Sequence, residues 1–195
     1  AFAALKSNGS VVTWGAPDYG GNSTAVAGQL SSRVSDIVSS GRFFVALKDD
    51  GSVVSWGAPE GLISNIVDLD GPLNNLTVSQ ISCTSAATAA LRSDGSIIAW
   101  GQGMNSQSYD AGGSAPFSQT TREFVRVFSN DAAFAALKRD GSVTTWGGST
   151  VRGGGGGNSS AVADQLASGV VNIFSLGTAF AALKSDGSKI GRAHV

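Results

Sequence analysis

Charge is scarce in this sequence of 195 residues: Asp, Glu, Lys and Arg together make up 14% of it, against about a quarter in ordinary soluble domains. The 13 Lys and Arg nearly balance the 14 Asp and Glu, and neither a basic run nor an acidic tail stands out. A formal net charge of −1 sets up no field to gather nucleic acid or an anionic membrane surface, so neither is expected as a partner. Cysteine occurs once, at Cys83, which excludes an internal disulfide and reads as a small buried apolar residue. Histidine also occurs once, at His194 among the last few residues. The rest of the chain therefore has no Ser-His-Asp or Cys-His arrangement and none of the usual zinc ligand sets. No stretch approaches the ~18 consecutive apolar residues of a membrane helix. No signal peptide is visible at the start, where residue 2 is already inside a repeat.

What the sequence has in quantity is glycine, 27 residues, and an apolar fraction of 42%, too high for a disordered tract. The apolar residues recur in one pattern. Residues 2–15 read Phe-Ala-Ala-Leu-Lys-Ser-Asn-Gly-Ser-Val-Val-Thr-Trp-Gly, and residues 44–57, 88–101 and 134–147 repeat it with few changes. A fifth copy begins at Phe180 and follows the pattern to Ser188. The tryptophans Trp14, Trp56, Trp100 and Trp146 are spaced by 42, 44 and 46 residues. Regularity of this kind signals a repeat architecture, in which each unit buries its faces only against its neighbours.

Within each copy, Asn-Gly or Asp-Gly separates two apolar runs, ending in Gly9, Gly51, Gly95, Gly141 and Gly187. This is a strong hairpin signal and predicts a type I′ turn, with φ > 0 at both residues of the pair. The flanking runs are apolar on both faces, which fits strands sandwiched between two layers. A further strand is expected before each hairpin, at Val34–Ser39, Val78–Cys83, Phe124–Ser129 and 170–175. Each unit is then a three-stranded antiparallel meander. The connections that follow each Trp-Gly are long and rich in Ser and Gly. Two of them match, at 22–30 and 158–166, and suit either a short helical turn, with Val and Leu four apart on one face, or an edge strand.

A sheet of this size cannot bury both of its faces alone, and radial stacking of copies buries both, which is a β-propeller. The expected fold class is thus all-β: a partial propeller of about four blades, with units near 1–33, 34–77, 78–123, 124–169 and a partial one at 170–188. An open arc of a larger ring is expected rather than a closed four-bladed one, and its uncovered apolar faces predict poor solubility.

The string Ala-Leu-Lys-Ser-Asp-Gly-Ser-Val-x-x-Trp-Gly, with Tyr19-Gly20 soon after Trp14-Gly15, resembles the repeat of the regulator of chromosome condensation family. The resemblance covers residues 1 to 188 and implies a seven-bladed ring. The spacing is similar, too, to that of a compact secreted propeller that inhibits a bacterial β-lactamase. The sequence departs from the family where a His precedes the Leu by three: Phe2, Phe44, Thr88, Phe134 and Phe180 stand there. Gly28-Gln29-Leu30 is followed by Ser31 rather than Gly.

After Ser188 the pattern breaks, and the chain reads Lys-Ile-Gly-Arg-Ala-His-Val to residue 195. The codons ATC GGA AGA GCA CAC GTC spell the last six residues, and that string resembles the start of a short-read sequencing adapter. Residues 189–195 are therefore expected to be a non-native tail on a fragment. Without them 11 Lys and Arg face 14 Asp and Glu, and no histidine remains.

No catalytic, cofactor-binding or metal-binding residue is expected. Asp49-Asp50 is hairpin-turn chemistry, and Asp68 with Asp70 lacks the other ligands of a calcium loop. The run 153–157 is no phosphate loop, because no Gly-Lys-Ser/Thr follows it, and reads as a flexible connection. Asn8, Asn22, Asn75 and Asn158 each begin an Asn-x-Ser/Thr triplet, which a Ser-rich chain produces freely. The four tryptophans suit packing between blades better than a sugar or base platform. The expected function is a non-catalytic, protein-binding scaffold, not an enzyme, with contacts through the connections 16–33, 58–77, 102–123 and 148–169. The resemblances imply two alternatives: a guanine-nucleotide-exchange regulator of a small GTPase, and a secreted inhibitor or adhesion-type propeller.

Overall fold

In the computed structural model, residues 1–57, 77–101, 112, 114–118, 121–148 and 155–191 are described. Among them the chain forms five small antiparallel sheets in succession. Sheet I is the hairpin β1 (Phe2–Leu5) and β2 (Val11–Trp14). Sheet II adds a strand before the hairpin: β3 (Val34–Ser39), β4 (Phe44–Lys48) and β5 (Val53–Trp56). Sheet III repeats this with β6 (Val78–Cys83), β7 (Ala87–Arg92) and β8 (Ile97–Gly101). Sheet IV has β9 (Phe124–Ser129), β10 (Ala133–Lys138) and β11 (Val143–Gly147). Sheet V has β12 (Val170–Leu176), β13 (Ala179–Lys184) and β14 (Lys189–Gly191). In each three-stranded sheet the strands lie side by side in chain order, the meander that the repeat predicts.

The hairpin turn differs from the type I′ expectation. The Gly9 N–H donates to the Lys6 carbonyl, 2.9 Å, so Ser7 and Asn8 are the central residues of the turn. Only Gly9 then has positive φ, +76°, and the same holds at Gly51, Gly95, Gly141 and Gly187. This is a type I turn closed by a glycine bulge. Its physical cause is the side chain before the glycine. Asp50 Oδ1 accepts from both the Ser52 N–H (2.9 Å) and the Ser52 hydroxyl (2.6 Å). Asn8, Asp94, Asp140 and Asp186 hold Ser10, Ser96, Ser142 and Ser188 in the same way. A short acceptor side chain two residues before the bonded N–H stabilises this local turn.

Side chains alternate between the two faces of a strand, and here both faces are covered. On β4, Phe44 and Ala46 pack toward sheet I with Leu30, Val34, Val54 and Trp56. Val45 and Leu47 pack toward sheet III with Val78, Ile81, Cys83, Ala90 and Ile98. Two further clusters fill the III–IV and IV–V interfaces. The middle strand of each three-stranded sheet therefore reads as a largely apolar run in which alanine recurs. Ala46, Ala89, Ala90 and Ala136 are fully buried.

Strand β14 continues the hairpin past Ser188: Lys189 pairs with Leu183, Ile190 with Ala182 and Gly191 with Ala181. Ile190 is buried in the IV–V cluster, at the place that Val54 and Ile98 hold in their sheets. Lys189 stands where the other hairpins have Val11, Val53, Ile97 and Val143. The stretch read as a non-native tail thus begins within a paired strand, and residues 192–195 lie outside the described residues.

Candidate interaction surface

The turn glycines lie at the junctions between sheets. The Gly9 carbonyl accepts from the Val34 N–H of sheet II, 2.9 Å. Gly51 accepts from Val78, Gly95 from Phe124 and Gly141 from Val170, at 3.3, 3.0 and 2.9 Å. The carbonyl just before each of those strands accepts from the turn of its own sheet: Asp49 N–H to Arg33, Ser93 to Thr77, Arg139 to Glu123 and Ser185 to Gly169. A Cβ on Gly141 would lie 2.8 Å from the Gly169 nitrogen, whereas one on Gly187 would meet nothing. These glycines therefore serve two purposes, the bulge of one hairpin and the close approach of the next sheet.

The tryptophans pack between sheets. Trp56 and Trp146 are buried and stack on the cross-strand Phe44 and Phe134, with ring centroids 5.3 and 5.1 Å apart. The Trp56 indole N–H donates to the Gly20 carbonyl and that of Trp146 to the Gly112 carbonyl, each 3.0 Å. Both acceptors belong to the connection that precedes the sheet. Trp14 stacks on Phe2 in the same manner, but both are at least half exposed, because among the described residues no sheet packs on that face of sheet I. Trp100 is buried opposite Thr88.

The two matching connections form short 3-10 turns, Thr24–Val26 and Ser160–Val162, rather than edge strands. Asn22 and Asn158 hold the bend that leads into them: Oδ1 of Asn22 accepts from the Thr24 N–H and hydroxyl, and Oδ1 of Asn158 from the Ser160 N–H. Leu30 and Leu166 turn into the core, and their carbonyls accept from the edge residues Val11 and Val143. Thr13 and Thr145 fasten the same connections through Gly21 and Gly157. The connection thus covers the outer edge of its hairpin, where a further strand would otherwise pair. Of the run 153–157, the described residues 155–157 make specific hydrogen bonds. Gly155 accepts from the Asn130 side chain at 2.6 Å, and Gly157 from Thr145. Residues 58–76, most of 102–113, and 149–154 lie outside the described residues, as do Asp68, Asp70 and Asn75.

On the opposite edge, β3, β6, β9 and β12 follow one another from sheet to sheet and carry polar bridges. Gln80 uses its whole amide: Nε2 donates to the Val127 carbonyl at 2.7 Å, and Oε1 accepts from the Val127 N–H at 3.1 Å. Ser82 donates to Ser129, and Arg126 to Asn172, at 2.8 and 2.9 Å. The sequence reading passed over these residues. The one signal for Gln80, Arg126 and Asn172 is that they share, with Asp36, the third place of their strands.

Ion pairs sit beside the turns. Arg33 reaches Asp49 (2.8 Å) and Asp50 (3.3 Å), Lys138 reaches Glu123 (2.9 Å), and Arg122 reaches Asp94 across the III–IV junction (3.2 Å). Most of these groups are half exposed, so each pair contributes little to stability. The Ser52 hydroxyl and N–H hold the Asp50 carboxyl below its ordinary 3.8, as Ser142 and Ser188 do for Asp140 and Asp186. Burial raises Asp94, but the Ser96 bonds and the nearby arginines outweigh it. Cys83 is buried in the II–III core, and desolvation pushes its thiol up to about 12. Among the described residues no group of three His, Cys, Asp or Glu side chains that could hold a metal is present, and no helix is long and apolar enough to cross a membrane.

Several solved structures share this arrangement. The chain is similar to the ectodomain of the receptor kinase CR4 of Physcomitrella patens, with 13% identity, a TM-score of 0.60 and coverage of 97% of this chain and 48% of that one. It is similar to yeast RCC1 (Prp20) bound to Kap60, with 16% identity, a TM-score of 0.56 and coverage of 81% and 43%. Prp20p of Saccharomyces cerevisiae, described with its binding properties to Gsp1p and histones, matches at 16% identity and a TM-score of 0.51, with coverage of 80% and 43%. The chain spans a little under half the length of these structures. No protein-family model and no curated protein matches the sequence. The fold is that of an RCC1-like β-propeller, present here as a partial ring.

Proposed function

We propose that this chain is a stretch of a propeller of the regulator of chromosome condensation type that serves as a non-catalytic, protein-binding scaffold. One observation carries the reading. The repeated residues are spent on turns, junctions and packing between sheets, while the sequence varies most in the connections 58–77 and 102–123 that follow two of the Trp-Gly pairs. Variable loops on a fixed framework are where binding specificity resides in such folds. Two of the similar structures are described by their protein partners: Prp20p by Gsp1p and histones, and RCC1 by Kap60.

The test is crosslinking of captured proteins, followed by mass spectrometry, repeated with residues 58–77 replaced by the sequence of 16–33. Crosslinks are expected at the connections, and the exchange is expected to release the partner while the sheets stay folded. A partner held equally by both chains, and crosslinked only through the strands, overturns the reading. Nucleotide exchange is the second reading, and Gsp1p in the description of Prp20p is what favours it. It is checked by release of a fluorescent guanine nucleotide from a small GTPase, and no acceleration is expected.

Residues 189–195 remain, in our proposal, a non-native tail. Supporting this, the fifth repeat has Arg192 five residues after its turn glycine, where the other four have tryptophan. Sequencing the gene through this position is expected to find a Trp codon; an Arg codon, followed by the same residues to 195, overturns it.

A further inference from the structure

Three junctions join the three-stranded sheets along the edge of β3, β6, β9 and β12, and the same repeat places meet at each. At III–IV, the Gln80 amide takes both peptide groups of Val127, and Ser82 donates to Ser129. At IV–V, Arg126 donates to Asn172. The loops that follow these strands are latched as well. The Ser85 N–H donates to the Asp131 carbonyl, and the Asp131 N–H to the Gly177 carbonyl, each at 2.9 Å.

The II–III junction breaks the series, and both of its sheets are described throughout, at 33–57 and 77–101. Asp36 has the place of Gln80, but its Oδ1 accepts from the next N–H of its own strand, that of Ile37, at 2.8 Å. Val38 has the place of Ser82 and packs in the apolar II–III cluster with Cys83, which has the place of Ser129. Gly41, in the place of Ser85 and Asp131, makes no bond to the next loop. Among the described residues, sheet II is left with one hydrogen bond to sheet III, from the Val78 N–H to the Gly51 carbonyl. At 3.3 Å it is longer than its counterparts at Val34, Phe124 and Val170, which measure 2.9, 3.0 and 2.9 Å.

Apolar contact is non-directional, so a junction that rests chiefly on it lets two sheets shift at little cost. Hydrogen bonds fix position, because they depend on distance and angle. We propose that the II–III junction is a sliding joint built into the arc. Sheets III, IV and V form one body, and sheet II, tied to sheet I through Trp56 and Gly20, shifts against them. The apolar cluster stays closed as it slides, so Cys83 stays covered. The shift alters the curvature of the arc and the spacing between the connection 16–33 and residues 155–169. On the scaffold reading, that spacing sets which partners can span both.

Native-state hydrogen exchange of the full chain, followed by NMR, compares two matching junction amides, Val78 and Phe124, each between two three-stranded sheets. Corrected for intrinsic rates, Val78 is expected to exchange roughly tenfold faster. Exchange at Val78 no faster than at Phe124 overturns the proposal. Asp36→Gln supplies the amide that Gln80 supplies at III–IV, beside Ile81, which pairs with Ala90 as Val127 pairs with Ala136. It is expected to slow Val78 by roughly threefold to tenfold and to leave Phe124 unchanged. Gln80→Asp is the reverse change and is expected to speed exchange at Phe124 by a similar factor. A folded Asp36→Gln chain with Val78 unchanged also overturns the proposal. The comparison of Val78 with Phe124 uses the unaltered chain, so it decides the matter even where a variant fails to fold. No partner takes part in it, so its failure leaves the scaffold reading standing.

Discussion

The Trp56 indole N–H reaches the carbonyl of Gly20, 3.0 Å away and 36 residues earlier in the chain. One residue belongs to sheet II and the other to the connection that leaves sheet I, so this bond ties one repeat to the next. Trp56→Phe keeps an aromatic ring but leaves a buried carbonyl without its donor, at a cost of about 1–3 kcal/mol. Gly20→Ala adds a Cβ 2.9 Å from Phe44 Cε2 at φ +92°, and the backbone strain alone costs about 1–2 kcal/mol. Urea unfolding of both variants checks this; a loss under 0.5 kcal/mol in either contradicts the assigned role.

Gly141→Ala and Gly187→Ala separate the two demands on the turn glycine. Both residues have positive φ, +79° and +84°, so each substitution carries a left-handed strain of about 1–2 kcal/mol. Only Gly141 has the next sheet against it. Gly141→Ala is expected to be the more destabilising of the two. Equal losses would mean that the junction yields freely.

The turn carboxylates make stability depend on acid. Asp50, Asp140 and Asp186 are held below 3.8 by their serine partners. Their contribution is therefore fully present above the unfolded value and is lost as pH falls through the folded one. Asn8 already makes the same two bonds to Ser10 without a charge. Converting all three aspartates to Asn is expected to leave Tm near pH 7 little changed and to flatten its fall below pH 4. An unaltered acid profile would remove these groups from the explanation.

Cys83 is predicted to be inert. A buried thiol raised to about 12 offers almost no thiolate at neutral pH. Labelling by a disulfide reagent is expected to follow unfolding, and to speed up with urea in step with loss of structure. Rapid labelling of the folded chain would contradict this placement.

The two end sheets leave apolar side chains uncovered: Phe2, Val12 and Trp14 on sheet I, Phe174 and Leu176 on β12, with Leu176 81% exposed. Concentration-dependent association is the expected consequence. Phe174→Lys with Leu176→Lys is expected to weaken it, measured by sedimentation velocity. A monodisperse monomer across the concentration range, before any substitution, would argue for a closed four-bladed ring.

Much of this was legible because the signals are local and repeated. The Asp-Gly pairs place the hairpins, and the apolar runs on both sides of them require sheets covered on both faces. Asp49-Asp50 also reads correctly as turn chemistry, since Asp50 spends its carboxylate on Ser52. The turn type was misread because an Asp-Gly pair alone does not distinguish type I′ from a type I turn with a bulge. The serine two residues after the Asp decides it, by bonding back to the carboxylate. The Gln80–Val127 bridge was missed because an isolated polar residue in a strand carries no information about what lies across the next interface.

The sequence by itself determined the scarcity of charge, the lone cysteine and histidine, the length of the repeat and the need for each unit to be covered by its neighbours. Tertiary structure alone decided which glycine carbonyls the Trp56 and Trp146 indoles meet and which turn touches which strand. The reason is distance along the chain. Periodicity reports what a residue does within its own strand, whereas Trp56 and Gly20 become partners only when one sheet closes on the next.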